Sequence, residues 1–256
     1  MLIKEYFPGS TTEAARFKQH SFSELATAPN MVLLVDPEWG SFDGYLASLS
    51  SRFRVKAKRA YAKSEALQTR DLSEEALRHH HRRIGELYDA VLDRADYRLG
   101  KLDPQVLSNL RGALGDDFVL RGYFLGDELV GFMSGFVDGD TLEAHVVGVD
   151  YQLNRDHGVY CRMLYDYLQV ALERGVSRVN YGRTADEIKS SLGAVPVGMT
   201  CYVRHRERTL NKLLPALARY VRLPKAPLRE PFKKAWYAIN ASINRERLGL
   251  PGGASA

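Results

Sequence analysis

The chain has 256 residues, 45% of them hydrophobic and 26% charged, with a formal net charge of +5. That is enough apolar sequence for one substantial core or two small ones, and no apolar run approaches the roughly 20 residues of a membrane span. The two cysteines, Cys161 and Cys201, lack metal-like spacing, which argues against a zinc module or a disulfide framework. The opening MLIKEYFPGSTTEAARF has no hydrophobic signal core, so a cytoplasmic location is expected.

In chain order, residues 1 to 45 hold one apolar run, MVLLVDP (31 to 37), read as a strand in otherwise irregular sequence. SSRFRVKAKRAYAKSEA (50 to 66) reads as a helix with Arg52, Lys56, Arg59 and Lys63 along one face. Leu46, Leu49, Phe53, Ala57 and Ala60 line another face. The basic face is either solvated or an anion-binding surface for phosphates or nucleic acid. Asp71 with Glu74 forms a capping box ahead of a helix whose apolar face is Leu77, His80, Ile84, Leu87, Tyr88 and Val91. His79, His80 and His81 point in three directions on that helix, so no zinc site is expected. Asp103-Pro104 starts a further helix that buries Leu107, Leu110 and Leu114 and stops at Gly115.

Residues 118 to 205 carry the densest pattern. FVLRGYFL (118 to 125), LVGFMSGFV (129 to 137) and TLEAHVVGV (141 to 149) have strand length, and the breaks Gly126-Asp127-Glu128 and Asp138-Gly139-Asp140 suit hairpin turns. They predict an antiparallel meander. A loop, YQLNRDHG, then leads into a helix with apolar residues at Val159, Met163, Leu164, Tyr167, Leu168 and Ala171, ended by Gly175. VSRVNYG (176 to 182) is the next strand, returned through the helix so that it lies parallel to the strand at 141 to 149. A short helix begun by Thr184 follows. Further on, TLNKLLPALARYVRL (209 to 223) puts Leu210, Leu213, Leu214, Leu217, Tyr220 and Val221 on one side, with Lys212, Arg219 and Arg222 elsewhere and a kink at Pro215. Such a helix either docks on its own domain or makes peripheral contact with a membrane surface. Residues 223 to 231 read as a linker, PFKKAWYAINASINRERL as a basic helix, and PGGASA as a tail.

Three of these pieces, LGDELVGFMSGF, GDTLEAHVVGVDYQLNRDHGVYCRMLYDYLQVALERG and VNYGRTADEIKSSLGA, resemble the C-terminal half of the GNAT-fold N-acyltransferases, nearest the FemAB-like subgroup. The matching positions are Ala171, Glu173, Arg174 and Gly175 closing a helix; Tyr181, Gly182 and Arg183 at a strand end; Lys189; and Leu192 with Gly193. The resemblance implies an α/β fold with a mixed, mostly antiparallel twisted sheet flanked by helices. Its division would be an N-terminal remnant at 1–45, a transferase domain at 46–206 and a basic helical extension at 207–256. It also implies transfer of an acyl group to a small-molecule or peptide amine, with acetyl-coenzyme A or another acyl-coenzyme A as cosubstrate and no metal. The superfamily holds the coenzyme A pyrophosphate in a Gln/Arg-x-x-Gly-x-Gly/Ala turn. Arg155 and Gly158 match that turn, and Tyr160 stands where the last small residue belongs. FemAB-like relatives that take an aminoacyl group from charged tRNA also have degenerate turns here, so tRNA is the alternative donor.

Acyl transfer to an amine needs a proton acceptor and a stabiliser of the tetrahedral oxyanion. The GNAT resemblance assigns the second to main-chain N–H groups on the strand at 141–149, with Val147 and Val149 against the donor. Glu143 and His145, two apart on that strand and so on one face, are candidates for the base and for amine binding, against the reading of an exposed polar face or a core histidine. Tyr160 and Tyr165, on the helix after the loop, are candidate acids for the departing thiolate or ribose oxygen, against the reading that they simply pack. Arg183 and Lys189 either hold a phosphate or carboxylate at the cleft mouth or form structural ion pairs. No Cys or Ser sits in a nucleophile elbow, in keeping with direct attack. A catalytically silent binding module on the same fold is the remaining alternative.

Overall fold

The computed structural model describes residues 1–6, 12–95, 100–218 and 227–247. The chain forms two compact units, one from Met1–Val32 with Gly182–Ala256 and the other from Leu33–Tyr181. In chain order the elements are β1 (Leu2–Tyr6), α1 (Thr12–Gln19), β2 (Ser23–Leu34), α2 (Phe42–Ser48), α3 (Ser51–Lys63), β3 (Leu67–Asp71), α4 (Glu74–His79), α5 (His81–Leu92), α6 (Gln105–Leu114) and β4 (Phe118–Leu125). They continue with β5 (Glu128–Asp138), β6 (Thr141–Val149), α7 (Tyr151–His157), α8 (Val159–Arg174), β7 (Arg178–Asn180), α9 (Asp186–Ser190), β8 (Val195–Val203), α10 (Arg208–Ala218) and α11 (Lys234–Arg247). None of the described helices is long and apolar enough to cross a membrane.

In the Leu33–Tyr181 unit the strands run β3-β4-β5-β6-β7. All neighbours are antiparallel except β6 and β7, which are parallel. This is the meander and helix-returned parallel strand predicted from the sequence. Two-residue turns, Gly126-Asp127 and Gly139-Asp140, fix the register, pairing Leu125 with Glu128 and Asp138 with Thr141. One face of the sheet carries a core of Phe118, Leu120, Phe124, Leu129 and Phe132 against Leu77, Ile84, Leu87 and Leu107 of α4–α6. The other receives α8, whose predicted stripe Val159, Met163, Leu164, Tyr167, Leu168 and Ala171 is buried throughout. Each large side chain so buried contributes about 1.5–3 kcal/mol. Asp166 on the same helix is buried as well, accepting from Arg162 Nε (2.7 Å) and from Tyr123 Oη (2.8 Å), which supplies the partners a buried carboxylate requires.

The unit built from the two ends of the chain has its own three strands, β1-β8-β2, all antiparallel. Tyr6 packs edge to face on Phe17 (5.5 Å) and Tyr202 (5.6 Å), and Phe17 and Tyr202 pack tilted at 4.8 Å. Both units are mixed α/β with mostly antiparallel strands, and α10 and α11 form the predicted C-terminal helices.

Several local expectations are corrected. The predicted loop after β6 is α7, because Asp150 Oδ1 caps it by accepting from the N–H groups of Gln152 (2.9 Å) and Leu153 (3.3 Å). Asp71 lies in β3, a strand not foreseen, and the cap of α4 is Ser73, whose Oγ accepts from Ala76 N at 3.2 Å. The strand expected at 31–37 is β2, which begins at Ser23 and ends at Leu34 ahead of a 3-10 turn at Pro37–Trp39, and β1 and α1 occupy sequence read as irregular. The basic helix is separate from the one carrying Leu46, since the chain is extended at Leu49 and Ser50. The helix after Arg183 starts at Asp186, because Thr184 and Ala185 have positive φ of 67° and 53°. Tyr220, Val221, Arg219 and Arg222 of the predicted amphipathic helix, the linker as far as 226, and the tail lie outside the described residues.

Candidate functional site

The site is built on β6. Its pairing with β5 slips at one point: Met133 faces Val147, but Gly135 faces Ala144, so Ser134 opposes both His145 and Val146. This is a bulge, and the fully buried Ser134 holds it. Its Oγ accepts from Val146 N (3.1 Å) and donates to Val146 O (3.0 Å).

The opposite edge of β6 is only partly covered. β7 pairs with it at Thr141, Leu142 and Glu143 and, among the described residues, no strand continues that pairing beyond Glu143. Which groups face the open edge follows from alternation. Asp150 N donates to Val130 O at 2.9 Å, so Gly148 also turns its N–H to β5, and the N–H groups of Val147 and Val149 turn the other way. Two main-chain donors thus point in one direction just past the bulge.

Glu143 stands where β6 and β7 part. Its Oε2 accepts from Asn180 Nδ2 at 2.7 Å, and Asn180 is buried at the end of β7. Glu143 is the register partner of Phe136, and the half-buried His145 ring lies 6.2 Å from the Phe136 ring, so both flank one aromatic side chain. His145 Nδ1 is 3.3 Å from Ser134 Oγ. Because the Ser134 proton goes to Val146 O, that contact takes the Nδ1–H tautomer and leaves a lone pair on Nε2. Burial lowers the His145 pKa from its ordinary value, which keeps the ring neutral at pH 7.

At the α7–α8 junction Gly158 has φ 60°, a conformation that a Cβ disfavours. The Lys63 side chain passes 3.5 Å from where that Cβ would stand. Burial raises the half-buried Cys161 thiol, while the nearby ammonium groups of Lys56 and Lys63 pull it down, so two cations of the exposed face of α3 flank the first turn of α8. One main-chain donor of that turn is already engaged, since Tyr160 N donates to Asn154 Oδ1 at 2.8 Å. The Tyr160 phenol is pushed up to about 12 by burial, with Tyr151 and Cys161 adding to the shift, and it stays protonated at neutral pH. Arg155 is exposed on the last turn of α7.

The structure therefore gathers Glu143, His145, Val147 and Val149 on β6, and Arg155, Gly158 and Tyr160 at the junction that follows, all within one unit. Arg183 and Lys189 belong to the other unit. Lys189 is buried, and its Nζ donates to the carbonyl oxygens of Arg183 (2.7 Å) and Gly182 (3.2 Å). Burial lowers its pKa to about 8, against the opposing pull of Asp186. Sequence reasoning missed Ser134, Asn154 and Asn180. Only Asp150, a capping residue directly after a strand, carried a readable signal, and it pointed to α7 and hence to Asn154 within it.

Residues 50–190 match the family model of the acetyltransferase (GNAT) domain. No curated protein matches the chain. Solved structures similar in fold include the C-terminal domain of a putative lysylphosphatidylglycerol synthetase from Agrobacterium fabrum (8% identity over 84% of this chain and 71% of that one, TM-score 0.56), L-PGS from Bacillus licheniformis (12%, 85% and 72%, 0.54), and FemX (12%, 84% and 74%, 0.53).

Proposed function

Because the chain belongs to the GNAT acetyltransferase domain family, we propose that it is an N-acyltransferase that moves an acyl group directly from its donor onto an amine. The observation that carries this reading is the bulged, half-uncovered β6, which turns the Val147 and Val149 N–H groups to one side. Donors fixed in that way stabilise an oxyanion without reorganising as charge develops.

In this reading His145 Nε2 takes a proton from the attacking ammonium, and Glu143, held by Asn180, orients the amine. Val147 and Val149 hold the donor's carbonyl oxygen as the C–N bond forms. Tyr160 gives its proton to the departing sulfur or ribose oxygen as the bond to the acyl carbon breaks, the second proton of the attacking nitrogen restores the phenol, and the product is a neutral amide. The leading donor is an acyl-coenzyme A, with Arg155 and the backbone at Gly158 beside its phosphates. A second reading, an aminoacyl-tRNA donor, is favoured by one observation: Asn154 already occupies the Tyr160 N–H at the turn where coenzyme A phosphates would bind.

Calorimetric titration with acetyl-coenzyme A, longer acyl-coenzyme A species and charged tRNA separates the donors. Binding of an acyl-coenzyme A that weakens in Arg155→Ala supports the first reading; tRNA binding alone, falling steeply with salt, supports the second. No response to any of them from folded protein would leave a silent module.

A further inference from the structure

The unit made from the chain's two ends contains a cavity of about 630 Å³ beside the start of α10, lined by His20, Arg204, His205, Arg206, Arg208 and Lys212. No Asp or Glu is among its lining residues. Its walls are tied together: Asn211 Oδ1 accepts from His205 N (2.8 Å), while Asn211 Nδ2 donates to Ser21 O (2.8 Å). Glu207 N donates to His205 Nδ1 (3.0 Å), which leaves Nε2–H as the outward donor of that ring. Arg204 lies over the Phe22 ring at 5.1 Å. Arg206, Arg208 and Lys212 have no carboxylate within ion-pair distance among the described residues. Cations gathered around one cavity without counter-charge repel one another, and a phosphate entering it relieves that repulsion through charge-assisted bonds.

The helix that forms one wall has a second exposed feature. Leu210 is 48% and Leu213 54% exposed, and at about 100° per residue they lie on the side of α10 away from Arg208 and Lys212. An apolar stripe opposed by basic residues suits a helix lying in the plane of a membrane interface. With the leucines at the acyl boundary, the far side of a helix roughly 10 Å across stands at the level of the lipid phosphates. The cavity and the leucines thus fit two depths of one anionic bilayer.

We propose that α10 and the adjoining cationic cavity dock this protein on an anionic membrane, with a phospholipid phosphate in the cavity and Leu210 and Leu213 in the interfacial layer. The inference is independent of the acyl donor.

Co-sedimentation of the full chain with phosphatidylcholine vesicles, with and without phosphatidylglycerol, tests it. Binding is expected only to the phosphatidylglycerol vesicles, and it should weaken with salt. Each cation near an anionic surface is worth about fivefold in partitioning, so Arg208→Gln with Lys212→Gln should cost ~25-fold. Leu210→Ser with Leu213→Ser should also release the protein, by tenfold or more, while leaving affinity for inorganic pyrophosphate unchanged. All four side chains are exposed, and circular dichroism checks that each variant is folded. Absence of vesicle binding overturns the proposal. So does normal vesicle binding by the leucine variant, which takes α10 out of the interfacial layer, or cation-dependent binding of pyrophosphate or tRNA without vesicle binding, which makes the cavity a site for soluble polyanions.

Discussion

Replacing Ser134 by alanine tests whether the bulge in β6 sets the chemistry. The substitution removes one oxygen and adds no bulk, yet that oxygen serves both Val146 N and Val146 O, at 3.1 and 3.0 Å, inside the sheet. An unsatisfied buried polar group costs about 1–3 kcal/mol. With Val146 only half-buried, about 2 kcal/mol is expected in all, a fall in Tm of roughly 4–8 °C for a chain of this size. The strand can recover by sliding the bulge out of place, which re-aims the N–H groups of Val147 and Val149. One oxyanion donor is worth ~10²–10³ in rate, so a misaligned pair should cost about tenfold or more in kcat, with donor affinity little changed. Thermal unfolding, together with thiol release from an acyl-coenzyme A in the presence of an amine, reads both quantities. Unchanged Tm and unchanged kcat would show that the backbone alone holds the bulge and would refute the role given to Ser134.

Three further outcomes are expected. His145→Gln should lower kcat by about 10²-fold and remove the acid limb of the pH profile, which in the wild type lies below the ordinary histidine value because burial depresses the His145 pKa. The sign for stability follows: the unfolded chain takes up this proton first, so stability is lost as pH falls through about 6.5, and a variant retaining that loss shows that another group causes it. Lys189 has a folded pKa of about 8, below the unfolded value of about 10.4; its burial penalty is therefore complete below pH 8 and relieved as pH rises toward 10, by on the order of 3 kcal/mol. Denaturant unfolding of wild type and Lys189→Met over that range should differ in slope, and parallel curves contradict the assignment. Gly148→Ala would place a Cβ against the Phe132 ring and 2.8 Å from Leu87 Cβ, so overpacking should cost about 1–3 kcal/mol, a loss that urea denaturation would detect and that an undiminished midpoint would exclude.

The elements that the sequence determined by itself are those whose signal is local. Apolar runs of strand length with Gly-Asp turns between them define β4, β5 and β6, and the 3.6-residue period defines the stripe of α8, because each signal lies within a few neighbouring residues. The family resemblance likewise drew attention to Glu143, His145 and the turn at Gly158. β3 was missed because Leu67–Asp71 buries only Leu67 and so shows neither alternation nor an apolar run. Tertiary structure alone decided how the candidate site is wired. Ser134 meets Val146 across 12 residues, Asn180 meets Glu143 across 37, and Lys63 lies beside Gly158 from a different helix. Such pairings depend on strand register and helix placement, which a one-residue slip would reverse. The same holds for the basic cavity. His20 and Arg204 come from opposite ends of the chain, and pairing of β1 and β2 with the two edges of β8 brings them to one wall.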